Sequence, residues 1–399
     1  MQSASAICYE LDDPEEAARQ LAASVKEKLA LKKHAIGILF CDADCDGAAV
    51  TGELRELLGI DIAGMTSLAI LENKGHHEGA LTLLVLTAED CFFSPAVSLP
   101  LSGDGYGAKI AEACKTSVSR AGDGYGSKPG LIFAFCPSGM PYSGDKYPEI
   151  LSAAAQGVPV IGGVCSDDYD YQRARTFFSG NEYKDSMVLV SVWGNVKPVF
   201  SLRHVTSRFA ERIRRVVEAE GNKVYKVGDE TLVQYLEGFG LKTDVPDALL
   251  AFNSYPMMLT QEGGDETPLM RHIQSLNLAE GSGTFFGDVP TGTLANICLV
   301  SKKDVMAACR ESMQRLLDET AGKDHGYSAI LCITCCGRAM ILGNDSGAEG
   351  TILAEMLPSG INLAGAYCLG EICPTRYGEG GGGGVSNRFH NCSITFCMF

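Results

Sequence analysis

Three stretches of this chain repeat one pattern, and that repetition limits the fold more than any other feature. The first is an apolar run, residues 35–41, that ends at Cys41; a helical stretch follows, then a second apolar run ending in Gly64, Met65, Thr66 and Ser67. The second begins at 131, reaches Cys136, and closes through Gly163, Val164, Cys165 and Ser166. The third begins at 329, reaches Cys335, and closes through Gly365, Ala366, Tyr367 and Cys368. The Cys-to-Gly intervals are 23, 27 and 30 residues, the length of a strand–helix–strand crossover. Segments 47–58 and 147–156 space their apolar residues along one helix face. Crossover geometry accounts for the order of elements. It does not require the shared Cys and Gly endings.

Around these units, alternating runs read as antiparallel strands. Residues 81–88 and 91–99 are expected to form one hairpin, and 187–193 and 197–204 another, the second supported by Gly194 and Asn195 at its turn. Further strands are expected near the third unit at 294–301 and 392–399, and helices at 14–29, 108–119, 207–219 and 303–319. The fold class is therefore α/β, with mixed parallel and antiparallel sheets built from repeated strand–helix–strand units. A length of 399 residues favours two domains. Their break is placed at Gly221 and Asn222, after a charged helix, giving 1–222 and 223–399.

Charge narrows the partners. The chain holds 33 basic and 49 acidic residues, a net charge of −16. Such a surface repels phosphate backbones and anionic lipid, so nucleic acid and acidic membranes are not expected partners. No apolar run reaches membrane-spanning length and no secretory leader is read at the N-terminus. Sixteen cysteines without export signals suit reduced thiols in the cytoplasm, many of them acting as small hydrophobes within strands.

In open α/β sheets ligands bind beyond the carboxyl ends of the strands. Those ends carry Cys336, Gly337 and Arg338 in the third unit, Thr66 and Ser67 in the first, and Cys165 and Ser166 in the second. Small hydroxyl and thiol side chains leave room there, and Gly64 and Gly163 let main-chain amides approach closely. Arg338 and Glu371 are the two charges at such positions. They are either a salt bridge with each other or a fork and acceptor for a zwitterion.

The order of these motifs resembles the FIST family. Cys336, Gly337 and Arg338, then Gly370 and Glu371, then His390, Asn391, Cys392 and Ser393 resemble its C-terminal region. Residues 62–67, 158–163 and the pair Asp167 and Asp168 resemble its N-terminal region. Ser393 stands where the family often has Thr. The resemblance implies a sensory module that binds a small molecule, an amino acid being the proposed ligand, with Asn391 added to the site. It also implies output through a separate signalling protein such as a histidine kinase.

Three rival chemistries were open. Seven thiols in the last third, among them Cys332, Cys335, Cys336, Cys368 and Cys373, suggest a metal or Fe–S site, but no pair of zinc knuckles is present. Some family members are described as haem-binding sensors, with His204, His272 and His390 the ligand candidates here. His34, His76, His77 and His325 read as loop residues. Cys336 beside Arg338, with His390 as base, could form a thiol nucleophile. No set of residues forms a convincing catalytic constellation, so no enzyme, cofactor or metal is expected. The glycines 380–384 read as a mobile loop or lid.

Overall fold

Each repeated strand pair is apolar throughout, so both of its faces must be buried. The computed structural model shows how. It describes residues 1–399 except 120–123, 170, 206–207, 210–211, 246–247, 261–267, 324 and 377–383. The glycine tract expected as a lid therefore falls, but for Gly384, outside the described residues.

Three six-stranded sheets each hold one parallel pair at their centre. The pairs are His34–Cys41 with Asp61–Thr66, Leu131–Cys136 with Val160–Val164, and Ala329–Cys335 with Asn362–Cys368. A glycine on the second central strand has a local cause, and in the second unit the residue equivalent to Gly64 is Gly162, not Gly163. Gly64 and Gly162 lie so close to the neighbouring strand that a Cβ would collide with the carbonyls of Leu39 and Ala134.

The repetition extends beyond the pair. Each unit runs outer strand, helix, central strand, helix, central strand, hairpin, return strand. In the first unit the outer and return strands are Gln2–Cys8 and Leu81–Ala88, which pair with each other. In the second they are Cys91–Val97 and Val188–Gly194, and in the third Val199–His204 and Ser393–Met398. Each unit's hairpin leaves its own sheet and extends the next one. Ile70–Glu72 pairs with Asn362–Cys368, Thr176–Phe178 with Asp61–Thr66, and Glu371–Arg376 with Val160–Val164. The three sheets are thus laced into a closed ring.

Side-chain alternation assigns the two faces. Ile36, Ile38, Phe40, Phe133, Phe135, Leu331 and Ile333 meet in one central core. The opposite faces pack on helices: Leu39 on Pro14–Lys28 and Gly47–Leu58, Ala134 on Tyr106–Ser119 and Lys146–Ala155, Cys332 on Lys302–Thr320 and Ala348–Met356.

Two expected hairpins are corrected. Leu81–Ala88 and Cys91–Val97 belong to different sheets, as do Val188–Gly194 and Val199–His204. Leu81–Ala88 is flanked by Gln2–Cys8 and His34–Cys41, and Val188–Gly194 by Cys91–Val97 and Leu131–Cys136. Neither has a free edge for its successor, so these turns are joints between units. The helix expected at 207–219 is also corrected. Arg214–Glu220 is a strand, with Val216 buried, and Gly221 and Asn222 turn it into Lys223–Val227. Tertiary pairing of a β-branched stretch outweighs the helix propensity of its Arg and Glu residues. The position read as a domain break is therefore a hairpin turn.

That hairpin belongs to a fourth, nine-stranded sheet inserted into the third unit between Val199–His204 and Lys302–Thr320. Leu294–Leu299 is part of it and not of the third unit's sheet. Arg271 clasps it to the body. Its guanidinium is buried, donates twice to Asp145 at 3.1 and 2.9 Å, and donates to the carbonyls of Asp288 and Phe389. Among the described residues, no helix is long and apolar enough to cross a membrane.

Candidate functional site

The carboxyl end of the third unit opens into a cavity of about 220 Å³. The strand Ala329–Cys335 delivers Cys335 to its floor, and the helix Cys336–Leu342 begins at once, adding Cys336, Gly337 and Met340. The insertion that carries the nine-stranded sheet supplies the roof: Leu249 and Leu250 from the helix Ala248–Phe252, with Asn253, His272, Ile273, Gln274 and Phe286. None of the described lining residues is Asp, Glu, Lys or Arg; the lining is completed by Tyr169, Tyr171 and Leu369.

His272 is the polar centre of this roof. It is 4 % exposed, and burial lowers its pKa to about 4, partly offset by the main chain of Asn253. Its imidazole is therefore neutral at ordinary pH. Nδ1 lies 3.9 Å from the Cys335 thiol, and Nε2 has no hydrogen-bond partner among the described residues. Gly337 is required beneath it, because a Cβ there would run into the imidazole ring. Burial pushes the Cys336 thiol up to about 12, opposed by a hydrogen bond to Ser166, and raises Cys335 as well. Both thiols are protonated.

One wall is a loop in an unusual conformation. The buried Asp167 carboxylate accepts from the amides of Tyr169, Tyr171, Arg173 and Ala174 at 3.0 to 3.2 Å. Gathering four amides on one carboxylate places Tyr169 and Tyr171 at φ of 76° and 61°. That backbone region costs non-glycine residues about 1–3 kcal/mol each. The same loop then turns away and lines a second cavity of about 160 Å³ at the carboxyl end of the first unit. Ala43, Cys45, Thr66, Arg173, Arg175, Phe177 and Glu182 surround it.

The residues expected from sequence divide between these places. Cys336 and Gly337 line the first cavity and Thr66 the second. Ser67 and Ser166 join the three units instead. Ser166 Oγ donates to the Tyr367 carbonyl at 2.6 Å and accepts from the Leu68 amide, while Ser67 Oγ accepts from the Tyr367 amide at 2.9 Å. Their hydroxyls are already engaged. Cys165 is fully buried with its thiol pushed up to about 12, burial outweighing a hydrogen bond to Ser138. Asn391 is buried and donates to the Leu369 carbonyl at 3.3 Å.

The Arg338–Glu371 bridge is corrected. Arg338 pairs with Glu349, donating from Nη2 at 2.7 Å and Nε at 3.2 Å, and both side chains are fully buried. Tyr367 donates to the other Glu349 oxygen at 3.1 Å. Glu371 accepts from the Ser393 hydroxyl and amide, and burial raises its pKa to about 8 against the pull of Ser393 and Arg338. Sequence reading missed Glu349. Its signal was an acid on the apolar face of a helix, three and four residues before the buried Ile352 and Leu353.

The proposed thiol constellation is not assembled either. Arg338 is held by Glu349, and the His390 nitrogens lie 3.2 Å from His204 Nε2 and 3.1 Å from the Cys373 carbonyl. Of the histidines considered for haem, His204 and His390 lie against each other at 3.2 Å, and His272 alone borders the cavity. Among the described residues no group of three or more His, Cys, Asp or Glu could hold a metal ion. His34, His76 and His77 lie in strands, not loops.

Family comparison covers most of the chain. The FIST N domain matches residues 35–230 and the FIST C domain residues 230–374. The chain belongs to the FIST family. FIST domains are small-ligand sensory domains of signal transduction, and this is the coarse function of the chain. No curated protein matches it. A crystal structure of cyanuric acid hydrolase from A. caulinodans aligns over 99 % of this chain and 98 % of its own, with 7 % identity and a TM-score of 0.36. That likeness is too slight to carry an argument.

Proposed function

We propose that this FIST protein senses a small, uncharged molecule bound between the third unit and the inserted sheet. One observation supports the reading above others: a cavity of about 220 Å³ whose described lining has no charged side chain but offers a neutral imidazole, an amide pair and two tyrosines. A zwitterionic amino acid would have to leave both its charges there without counter-charges. The expected amino-acid gripping pair is also dispersed, since Arg338 is consumed by Glu349. A neutral ligand with one or two hydrogen-bonding groups suits this lining better.

Binding between two bodies suits a sensor, because a ligand there biases how the inserted sheet sits on the ring. Output through a signalling partner such as a histidine kinase belongs to the same proposal. So does a cytoplasmic setting, which suits sixteen buried cysteines that form no disulfide.

The test is a thermal-shift screen of small neutral metabolites and amino acids, repeated on Leu250→Trp. Leu250 is 53 % exposed at the cavity mouth, so a larger side chain there obstructs entry without entering the core. Saturable stabilisation by a neutral compound, lost in Leu250→Trp, is the expected result. Stabilisation by charged amino acids that Leu250→Trp leaves intact would place the ligand elsewhere.

A further inference from the structure

The second cavity, at the carboxyl end of the first unit, differs in chemistry from the first and shares a loop with it. Its two arginines are not equivalent. Arg173 is held between two carboxylates, Asp44 and Asp168, the latter at 2.7 Å. Arg175 is paired more loosely, with Glu182 alone. Its Nη1 donates to the carbonyls of Gln172 and Ala174 at 2.7 and 2.9 Å. Its nearest carboxylate, Glu182, stands 3.8 Å from Nε, beyond hydrogen-bond reach. Nη2 makes no hydrogen bond among the described residues, and the guanidinium remains about a quarter exposed at 24 %. Arg175 lines about 160 Å³ of space beside Thr66 with its ion pair to Glu182 loose and one guanidinium nitrogen unused as a donor.

We infer that this cavity is a second binding site, for a small carboxylate that docks on the free edge of Arg175, and that it is linked to the neutral cavity through the loop pinned by Asp167. The volume admits roughly five water-sized groups, the scale of a two- or three-carbon acid. The linkage follows from the chain itself. Tyr169 and Tyr171 line the neutral cavity, Arg173 and Arg175 line the charged one, and the amides of Tyr169, Tyr171, Arg173 and Ala174 converge on one carboxylate. A shift that seats a carboxylate on Arg175 is transmitted to the tyrosines, which already hold left-handed backbone angles. The inference goes beyond the proposed neutral-ligand function and stands on different residues.

Acetate is the probe, with acetamide as its uncharged control. Isothermal titration should show saturable acetate binding and none by acetamide. Arg175→Gln should weaken acetate at least tenfold. Glu182→Gln, which removes an exposed repelling carboxylate, should tighten it severalfold and guards against a misfolded Arg175 variant. Leu250→Trp should leave acetate binding unchanged, which separates this site from the neutral one. For the linkage, alkylation of Cys335 and Cys336 by iodoacetamide, followed by mass spectrometry, should change at least threefold in rate when acetate is saturating. No saturable acetate binding, or binding indifferent to both Arg175→Gln and Glu182→Gln, overturns the site. Acetate binding with an unaltered alkylation rate overturns the linkage.

Discussion

The carboxyl ends of the first and third units are built on the same topology and yet hold opposite chemistry. Both cavities lie where a central strand ends, and both borrow a wall from the loop after residue 166. The third unit has an insertion that roofs its cavity with His272, Leu249 and Phe286. The first has no such roof, and its cavity carries Arg173, Arg175 and Glu182, which remain partly in water. A repeated fold thus fixes where a site lies, while burial decides what may line it. Charges persist where water reaches and are excluded or paired where it does not.

The contrast breaks most completely if the roof comes off. Arg271→Ala leaves the Asp145 carboxylate without its cation at the junction of inserted sheet and ring. Removing one partner of such a buried pair costs about 3–5 kcal/mol. Urea denaturation should show that loss, and neutral-ligand binding should go with it. The charged cavity should keep its acetate affinity in any fraction that stays folded.

A second test uses pH. Glu371 has a folded pKa raised to about 8 from an ordinary 4.5, chiefly by burial. The folded state therefore holds this proton more tightly than the unfolded chain does. Its contribution is fully present below about 4.5 and is lost as pH rises towards 8, by at most about 1.4 kcal/mol per pH unit. Glu371→Gln should flatten that part of the stability profile, measured by melting between pH 5 and pH 8 (about the window of the shift). An unchanged slope would show that the carboxyl does not titrate there.

A third test sharpens the comparison at a single atom. Gly337→Ala drives a Cβ into the His272 ring, and overpacking of this kind costs about 1–3 kcal/mol. Binding in the neutral cavity should fall while the first unit's cavity is untouched. The smallest effect is expected at Arg173→Gln. Its carboxylate partners Asp44 and Asp168 are more than half exposed, so melting should be unchanged within error. A clear drop in melting temperature would mean that this surface bracket holds the Asp167 loop in place.

Much of the ring was legible because it rests on local pattern. The three Cys-to-Gly units, the helices near 14–29, 108–119 and 303–319, and the final strand all correspond to observed elements. That Cys336 and Gly337 lie just past a buried strand was legible by position alone, and both line the cavity there. The failures share a cause. Residues 81–99 and 187–204 carry good strand patterns, but which strands become neighbours depends on edges already occupied by distant residues. The stretch 207–219 reads as a charged helix until the inserted sheet offers it a partner.

The charges show the same division. That Arg338 is either paired or waiting for a ligand was readable from its place after a buried strand. That its partner is Glu349 and not Glu371 was decided by how the helix Ala348–Met356 packs beneath the sheet. Sequence by itself determined the repeated unit and the two-sided burial of its strands, since these follow from periodicity and residue type within about thirty residues; the family rested on the resemblance of its motifs. Tertiary structure alone decided the lacing of the hairpins, the roof over one cavity and the free edge of Arg175. Those depend on contacts between segments far apart in the chain, which no local spacing records.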